Sequence, residues 1–454
     1  MPYVWLSLIL LECSFWMPSV RMGEDFRDAR KRYIRTLIGD PLFYVGIVVL
    51  ILMIVEGING GCTLKYLTDT DKWVMEDPSQ PWLPFAVHVS DAFYWLTVFL
   101  AVFTVMLVAR NALGSTARRY LLRTVALFSG LCAIGASIYA LRLPVADSTA
   151  WFASQTGQTI GVVFLLWALV GLAVFADNEG RSGRHGFWFF AIGAFGNFFG
   201  MLIFAEPVVM TVGAVAFILV LIFSLTSLHK VVEQGDLLKY IVVGVIFIGA
   251  IGGSLFYAFK DNPVTRKVKT FKDFESYTAT YTSTRPERAK AAIAIFQGHP
   301  LCGVGVEGYG ECVGFFVKSE AEWTAFMGEK HFVMNDYLQL LAEGGVIGVT
   351  VALATLVVLL IPLFVHQRVR MIQAQEAKRA VAGHTHGPSK ESADPLSPVV
   401  VAGVLGTVLT ALTAGVGAPF RHPALLISVA LVLAELPTYL PSVKRISNTD
   451  SGKR

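Results

Sequence analysis

Charged residues are scarce in this chain: Asp, Glu, Lys and Arg make up 15% of 454 residues, 54% are hydrophobic, and the mean hydropathy is +0.59. That shortage excludes a water-soluble globular fold of this length and makes lipid the solvent. Five cysteines are present, Cys13, Cys62, Cys132, Cys302 and Cys312, with no CxxC pair and no histidine-spaced quartet. A structural zinc site finds no support in that spacing, and neither a metal nor another cofactor is expected. The first twenty residues, MPYVWLSLILLECSFWMPSV, lack a basic opening and a small-residue cleavage site, so they read as a membrane span and not as a cleaved leader. The net charge of +4 comes from short basic clusters between apolar runs. Such clusters orient a membrane protein and do not call for nucleic acid.

What the chain has in abundance is apolar runs of spanning length, near residues 3–20, 41–58, 91–109, 122–141, 158–176, 186–205, 208–227, 240–258, 344–365, 398–416 and 424–441. They predict an all-α polytopic membrane bundle of about eleven spans. The connection after the first run carries Arg21, Arg27, Arg30, Lys31, Arg32 and Arg35, and every second connection after it is basic too. By the positive-inside rule these connections are cytoplasmic, which puts the N-terminus outside and the C-terminus inside. The domain plan is then spans 1–8 over residues 1–258, a large outer loop over 259–337, spans 9–11 over 338–441, and a cytoplasmic tail over 442–454.

Two polar excursions interrupt the apolar pattern. Residues 366–397, which include HTHGPSKESADP, are rich in turn formers and read as a mobile cytoplasmic linker whose His384 and His386 are solvated. The loop over 259–337 is far longer than the others and lies on the outside, where long loops on a packed scaffold carry function.

Three elements follow one another in that loop. STRPERAKAAIAIFQGHP has the ends of a helix: Ser283 or Thr284 as cap, Pro286 in the first turn, Gly298 as stop and Pro300 beyond. Arg288, Ala292 and Ile295 share one face of it, and Arg288 can present a planar fork of donors to a phosphate, with Arg285 and Lys290 near enough to assist. Next comes HPLCGVGVEGYGECVGFF, a shaped turn; no strand precedes it and no GK[ST] follows, so it is no nucleotide loop. Cys302 and Cys312 flank its glycines and can form a disulfide in an oxidising compartment, or pack as reduced small residues. The third element, HFVMNDYLQLLAEGGVIG, leads into the ninth span, with Asn335, Gln339 and Glu343 on one helical face and Gly344, Gly345 and Gly348 permitting close approach of a neighbour.

The order Arg288, HPLCGVGVEGY, NDYLQLLAEGGVIG resembles the signature region of the O-antigen ligase and Wzy polymerase family. In that family the last motif resembles HN, nine residues, GxxG; here Asn335 is followed, after Asp336 to Gly344, by Gly345-Val346-Ile347-Gly348. The resemblance implies a bacterial inner-membrane enzyme that moves a glycan from an undecaprenyl-diphosphate carrier to the hydroxyl of a lipid or glycan acceptor, at the periplasmic face and without metal. It also implies that Arg288 stabilises the departing diphosphate while a base takes the acceptor's proton.

Two positions depart from the family's pattern. Met334 stands where a histidine usually precedes the motif asparagine and cannot take a proton, which leaves His331 and Asp336 as candidate bases. IFAEPVVM, between spans six and seven, places Glu206 where a Ser-Arg pair is common. Glu206 is therefore expected to face an outer cavity, with Arg288 and Arg421 as its cationic partners and Arg285, Lys290 or Arg421 compensating its charge at a diphosphate site. The departures motivate a second reading, a non-catalytic relative that binds lipid-linked glycan or scaffolds envelope polysaccharide assembly. A secondary transporter ranks below both, because the charged residues inside spans, Glu56 and Glu435, sit near helix ends.

Overall fold

A computed structural model describes the chain except at residues 1, 19, 21–22, 61–63, 68, 70–71, 76–77, 79, 81, 143–154, 180–186, 230–284, 314–331, 384–397, 416 and 437–454. Among the described residues the apolar runs are helices, since a backbone in hydrocarbon must satisfy its own hydrogen bonds. In chain order they are α1 (Pro2–Trp16), α2 (Phe26–Ile38), α3 (Pro41–Ile58), α4 (Val89–Leu107), α5 (Ser115–Arg142), α6 (Gln155–Glu179), α7 (Phe187–Phe204) and α8 (Pro207–His229). After the loop come α9 (Arg285–Gly298), α10 (Gly308–Cys312), α11 (Asp336–Gly383), α12 (Pro398–Ala414) and α13 (Pro423–Leu433).

Among the described residues four helical stretches are long and apolar enough to cross a membrane: Pro41–Ile58, Val89–Ala112, Thr116–Ala140 and Asp336–Val365. Shorter apolar helices occupy Pro2–Trp16, Thr159–Val174, Ile192–Phe204, Val208–Ser224, Val399–Ala414 and Pro423–Leu433, each where the sequence places a span. The run at 240–258 lies outside the described residues.

The chain departs from the sequence expectation in two elements. Between α3 and α4 a hairpin pairs β1 (Leu64–Leu67) antiparallel with β2 (Lys72–Met75), Leu64 opposite Met75. And α11 does not end with its span: it runs on to Gly383 through QRVRMIQAQEAKRAVAG, so the first half of the expected linker is helical. That segment is mostly Arg, Gln, Glu, Lys, Met and Ala, which favour helix by intrinsic propensity.

α6 is the hub, packed against α5, α7, α8, α12 and α13. Its Leu165, Leu166, Trp167 and Leu169 are fully buried. Polar contacts tie it and its neighbours where lipid supplies no hydrophobic drive: Trp167 Nε1 donates to Ser428 Oγ at 3.0 Å, and the Asn197 amide of α7 donates to Ala126 O of α5 at 2.9 Å. α5 and α7 cross so closely that a Cβ on Gly130 would sit 2.6 Å from the Cα of Gly193.

Each end of the bundle has its own charged clasp. At one end Arg110, on a π-helical turn after α4, donates to Asp40 Oδ2 at 2.8 Å and to Leu436 O at 3.2 Å, and Arg118 lies 3.5 Å from Glu435. These residues come from the start of α3, the end of α4, the start of α5 and the segment after α13. At the other end meet the last turn of α3, the residues before α4, the loop elements α9 and α10, the start of α11 and the turn before α13.

Candidate active site

The loop elements are held by a backbone exchange at the start of α11. Gly345 breaks that helix with φ 58° and ψ −159°. In an unbroken helix the carbonyls of Ala342 and Glu343 would accept from the N–H groups of Val346 and Ile347. Instead, Val304 N and Gly305 N donate to Ala342 O and Glu343 O at 3.1 and 2.9 Å, while Val346 N and Ile347 N donate to Pro300 O and Leu301 O at 3.0 and 3.1 Å. The glycine-rich turn thus replaces the two hydrogen bonds that the break removes. Such proximity requires glycine on both sides: a Cβ on Gly303 (φ 68°) would lie 2.3 Å from the Glu343 carbonyl, and one on Gly345 would lie 2.5 Å from Leu301 O. The neighbour that Gly345 receives is this loop, whereas among the described residues Gly344 and Gly348 face only Leu340 of their own helix.

α9 packs on the same turn. Ala291, Ala292 and Ile295 are buried with Phe85, Val304, Tyr309 and Ala342, which confirms the apolar face read from the sequence. Arg288, on that helix, donates through Nη1 to Phe332 O at 3.1 Å, and its own carbonyl accepts from the Tyr309 hydroxyl at 3.1 Å. Burial pushes the Tyr309 phenol up against the opposing pull of Arg288, so it stays a donor. Lys290 is exposed and paired with Glu287 at 2.8 Å. The backbone of Arg285 opens α9, and His331 lies outside the described residues.

The polar face at the start of α11 forms as predicted and is built into a charged core. Asn335 caps the helix, its Oδ1 accepting from Tyr337 N at 3.0 Å and Leu338 N at 3.1 Å, while Nδ2 reaches Gly415 O at 3.0 Å. Asp336 Oδ2 accepts from Phe420 N at 2.9 Å. Gln339 Nε2 donates to Glu343 Oε1 at 2.9 Å, and Glu343 Oε2 is ion-paired with Arg421. Arg421 also lies 3.7 Å from Glu307, whose Oε1 accepts from Trp95 Nε1 at 3.1 Å. Burial disfavours the charge on Arg421, but Glu343, Glu307 and Asp336 together outweigh it and hold the guanidinium above its usual range. The structure therefore gives Arg421 carboxylates as partners.

Glu56 and Glu307 are functional-site neighbours that the sequence reading did not place. Glu56, buried in the last turn of α3, accepts from Val306 N at 2.6 Å and so pins the outer turn to the bundle. The signal was there: a carboxylate at the end of an apolar span is costly unless a polar partner meets it.

Cys302 and Cys312 are not bridged; both are buried thiols. Cys302 turns its sulfur to Trp82 O, 3.6 Å away, whereas Cys312 ends α10 inside the loop's apolar cluster. The turn that Gly303 and Gly305 make serves the α11 exchange and points the two cysteines into different surroundings. Burial, then the Glu56 carboxylate, pushes the Cys302 thiol up.

Glu206 occupies the break between α7 and α8. It is 7% exposed and lines a small cavity with Thr159, Val162, Val209, Thr413, Gly417, Ala418 and Pro419. It faces a cavity, as expected of it; of the cations offered as its partners, Arg421 pairs with Glu343 and Glu307, and Arg288 donates to Phe332 O. The turn at 415–421 is shared, with Ala418 and Pro419 lining the cavity while Gly415, Phe420 and Arg421 bind α11 residues.

A search of curated protein sequences finds no match to this chain. A family model described as O-antigen ligase matches residues 199–353. That segment runs from the end of α7 through Glu206, Arg288, the glycine turn and the Gly345 break. Over it the chain is similar to the O-antigen ligase family, whose kind of function is membrane glycan ligation or polymerisation.

Proposed function

We propose that this protein transfers a glycan from an undecaprenyl-diphosphate carrier to an acceptor hydroxyl at the periplasmic face of the bacterial inner membrane, without metal, within a bundle of about eleven spans whose N-terminus is periplasmic and C-terminus cytoplasmic. The observation that carries the reading is that the family match covers the same stretch in which α9, the glycine turn and the start of α11 are fastened into one unit. Arg288 lies on that unit with its backbone fixed by Tyr309 and one guanidinium nitrogen by Phe332. A guanidinium so held is preorganised to stabilise charge on a departing diphosphate. Arg285 and Lys290, on the same helix, add positive potential. Asp336 and His331 remain the base candidates from the loop, and Asn335, Gln339, Glu343 and Arg421 shape the wall that substrate meets.

The test is purified protein in nanodiscs with an undecaprenyl-diphosphate-linked oligosaccharide and lipid A–core or oligosaccharide acceptors. Glycan moved onto an acceptor supports the reading. Binding of the lipid-linked glycan without transfer would establish the second reading, a non-catalytic relative, which Met334 and Glu206 favour.

A further inference from the structure

We infer that α2 is a docking surface for anionic phospholipid, with Arg27, Lys31 and Arg35 receiving the headgroup phosphate and Phe26, Ile34 and Ile38 seating the acyl chain; this is independent of the transfer chemistry. The helix FRDARKRYIRTLI has 13 residues, five of them basic, so it is too short and too charged to span a membrane. Its level is set by its neighbour. α3 starts at Pro41, directly after α2 and its Gly39 cap, and the 18 residues of α3 extend about 27 Å, close to the hydrocarbon thickness of about 30 Å. α2 therefore lies where hydrocarbon gives way to headgroups. It is held there on one side: Tyr33 packs with Val108 and Ala112 of the π-helical turn and with Leu10 of α1, its hydroxyl shares a hydrogen bond with Ser14 Oγ at 3.0 Å, and the Arg30 guanidinium lies 3.6 Å from the centre of the Phe15 ring.

The other side carries two adjoining exposed stripes. Arg27, Lys31 and Arg35 recur at four-residue intervals along one, and Phe26, Ile34 and Ile38 lie along the other. Among the described residues no carboxylate pairs with those three cations: Glu24 is taken by Arg32, and Asp28 sits in the first turn, where the helix dipole favours it. The two stripes together select the occupant. Cations at headgroup level attract an anionic headgroup, and the apolar stripe beside them is covered by an acyl chain. A zwitterionic lipid would satisfy only the apolar stripe, and a soluble phosphate only the cations. Because α2 leads into Asp40, which caps α3 and pairs with Arg110, lipid bound here steadies the clasp at that end of the bundle.

The test uses the full chain in neutral detergent with two probes that share one fluorescent acyl chain, a phosphatidylglycerol and a phosphatidylcholine. Wild type is expected to bind the phosphatidylglycerol probe about tenfold or more tightly than the other, since each basic residue near an anionic surface contributes roughly a fivefold factor. Combined Arg27→Gln, Lys31→Gln and Arg35→Gln cuts that preference by at least about fivefold and leaves phosphatidylcholine binding unchanged. Phe26→Ser with Ile38→Ser weakens both probes, and glycerol phosphate, which has no acyl chain, displaces neither. Should the triple variant fail to fold by size exclusion, ionic strength decides: raising salt from about 0.05 M to about 0.5 M reduces the wild-type preference several-fold. Equal affinity of wild type for the two probes overturns the inference and points the basic stripe to an acidic protein surface. A triple variant that keeps the preference, or a preference insensitive to salt, overturns it too. Displacement by glycerol phosphate would mark a soluble phosphate ligand and equally overturn it.

Discussion

Arg421 and Glu343 are 78 positions apart in the chain and form a buried ion pair between the turn before α13 and the first two turns of α11. The pair closes one end of the bundle: through Glu307 it reaches the loop, and through Gln339 it fixes the α11 face. Replacing Arg421 with Leu strands two carboxylates without their cation. The expected cost is about 3–5 kcal/mol, read as a lower thermal midpoint in detergent, whereas simultaneous Glu343→Gln and Arg421→Gln restores part of it. A single variant as stable as wild type would remove the clasp from the account.

The glycine exchange makes a sharper contrast, because adjacent glycines should respond differently. Gly303→Ala and Gly345→Ala force a Cβ into a backbone carbonyl at positive φ, with an expected loss of at least about 1–3 kcal/mol each. Gly344→Ala meets only Leu340 Cδ1 at 3.5 Å and should stay within about 1 kcal/mol of wild type. Equal behaviour of the three would refute the interrupted helix.

Alkylation reads the state of the outer cysteines. In denatured, unreduced protein both Cys302 and Cys312 should be fully modified, since they are thiols. In the native protein Cys302 should react slowly, because the thiolate is the nucleophile and burial raises this thiol above the ordinary range of about 8.5. Its reaction should therefore speed up only at a pH higher than that for an exposed cysteine. A mass consistent with a Cys302–Cys312 bridge would contradict the structure.

The described apolar helices and the α9 helix with its stop at Gly298 were legible in the sequence, since each depends on local composition and local hydrogen bonding. The partners of those elements were not. The GGVIG glycines look the same whether a neighbouring span or a loop approaches them, and only the tertiary structure reveals that Pro300 to Gly305 fills the break. The carboxylate partners of Arg421 were not legible either, because nothing local reveals Glu343 and Glu307 beside it. The α3–α4 hairpin was missed for a related reason: its strands are four residues each, too short for an alternating pattern to stand out.

Topology has a direct check in single-cysteine variants on a cysteine-free background. Lys290→Cys in α9 should react with a membrane-impermeant maleimide added to intact spheroplasts, and Lys390→Cys only after permeabilisation. The reverse pattern would invert the bundle and move the candidate site to the cytoplasm.

The central claim is that Arg288 stabilises the departing diphosphate, and transfer from the undecaprenyl-diphosphate-linked oligosaccharide by Arg288→Ala measures it most directly. Loss of a preorganised donor to developing charge predicts kcat lower by roughly 100- to 1,000-fold, with Arg288→Lys recovering only part because lysine lacks the planar fork. Transfer by Arg288→Ala at the wild-type rate, in protein that folds normally, would contradict the account.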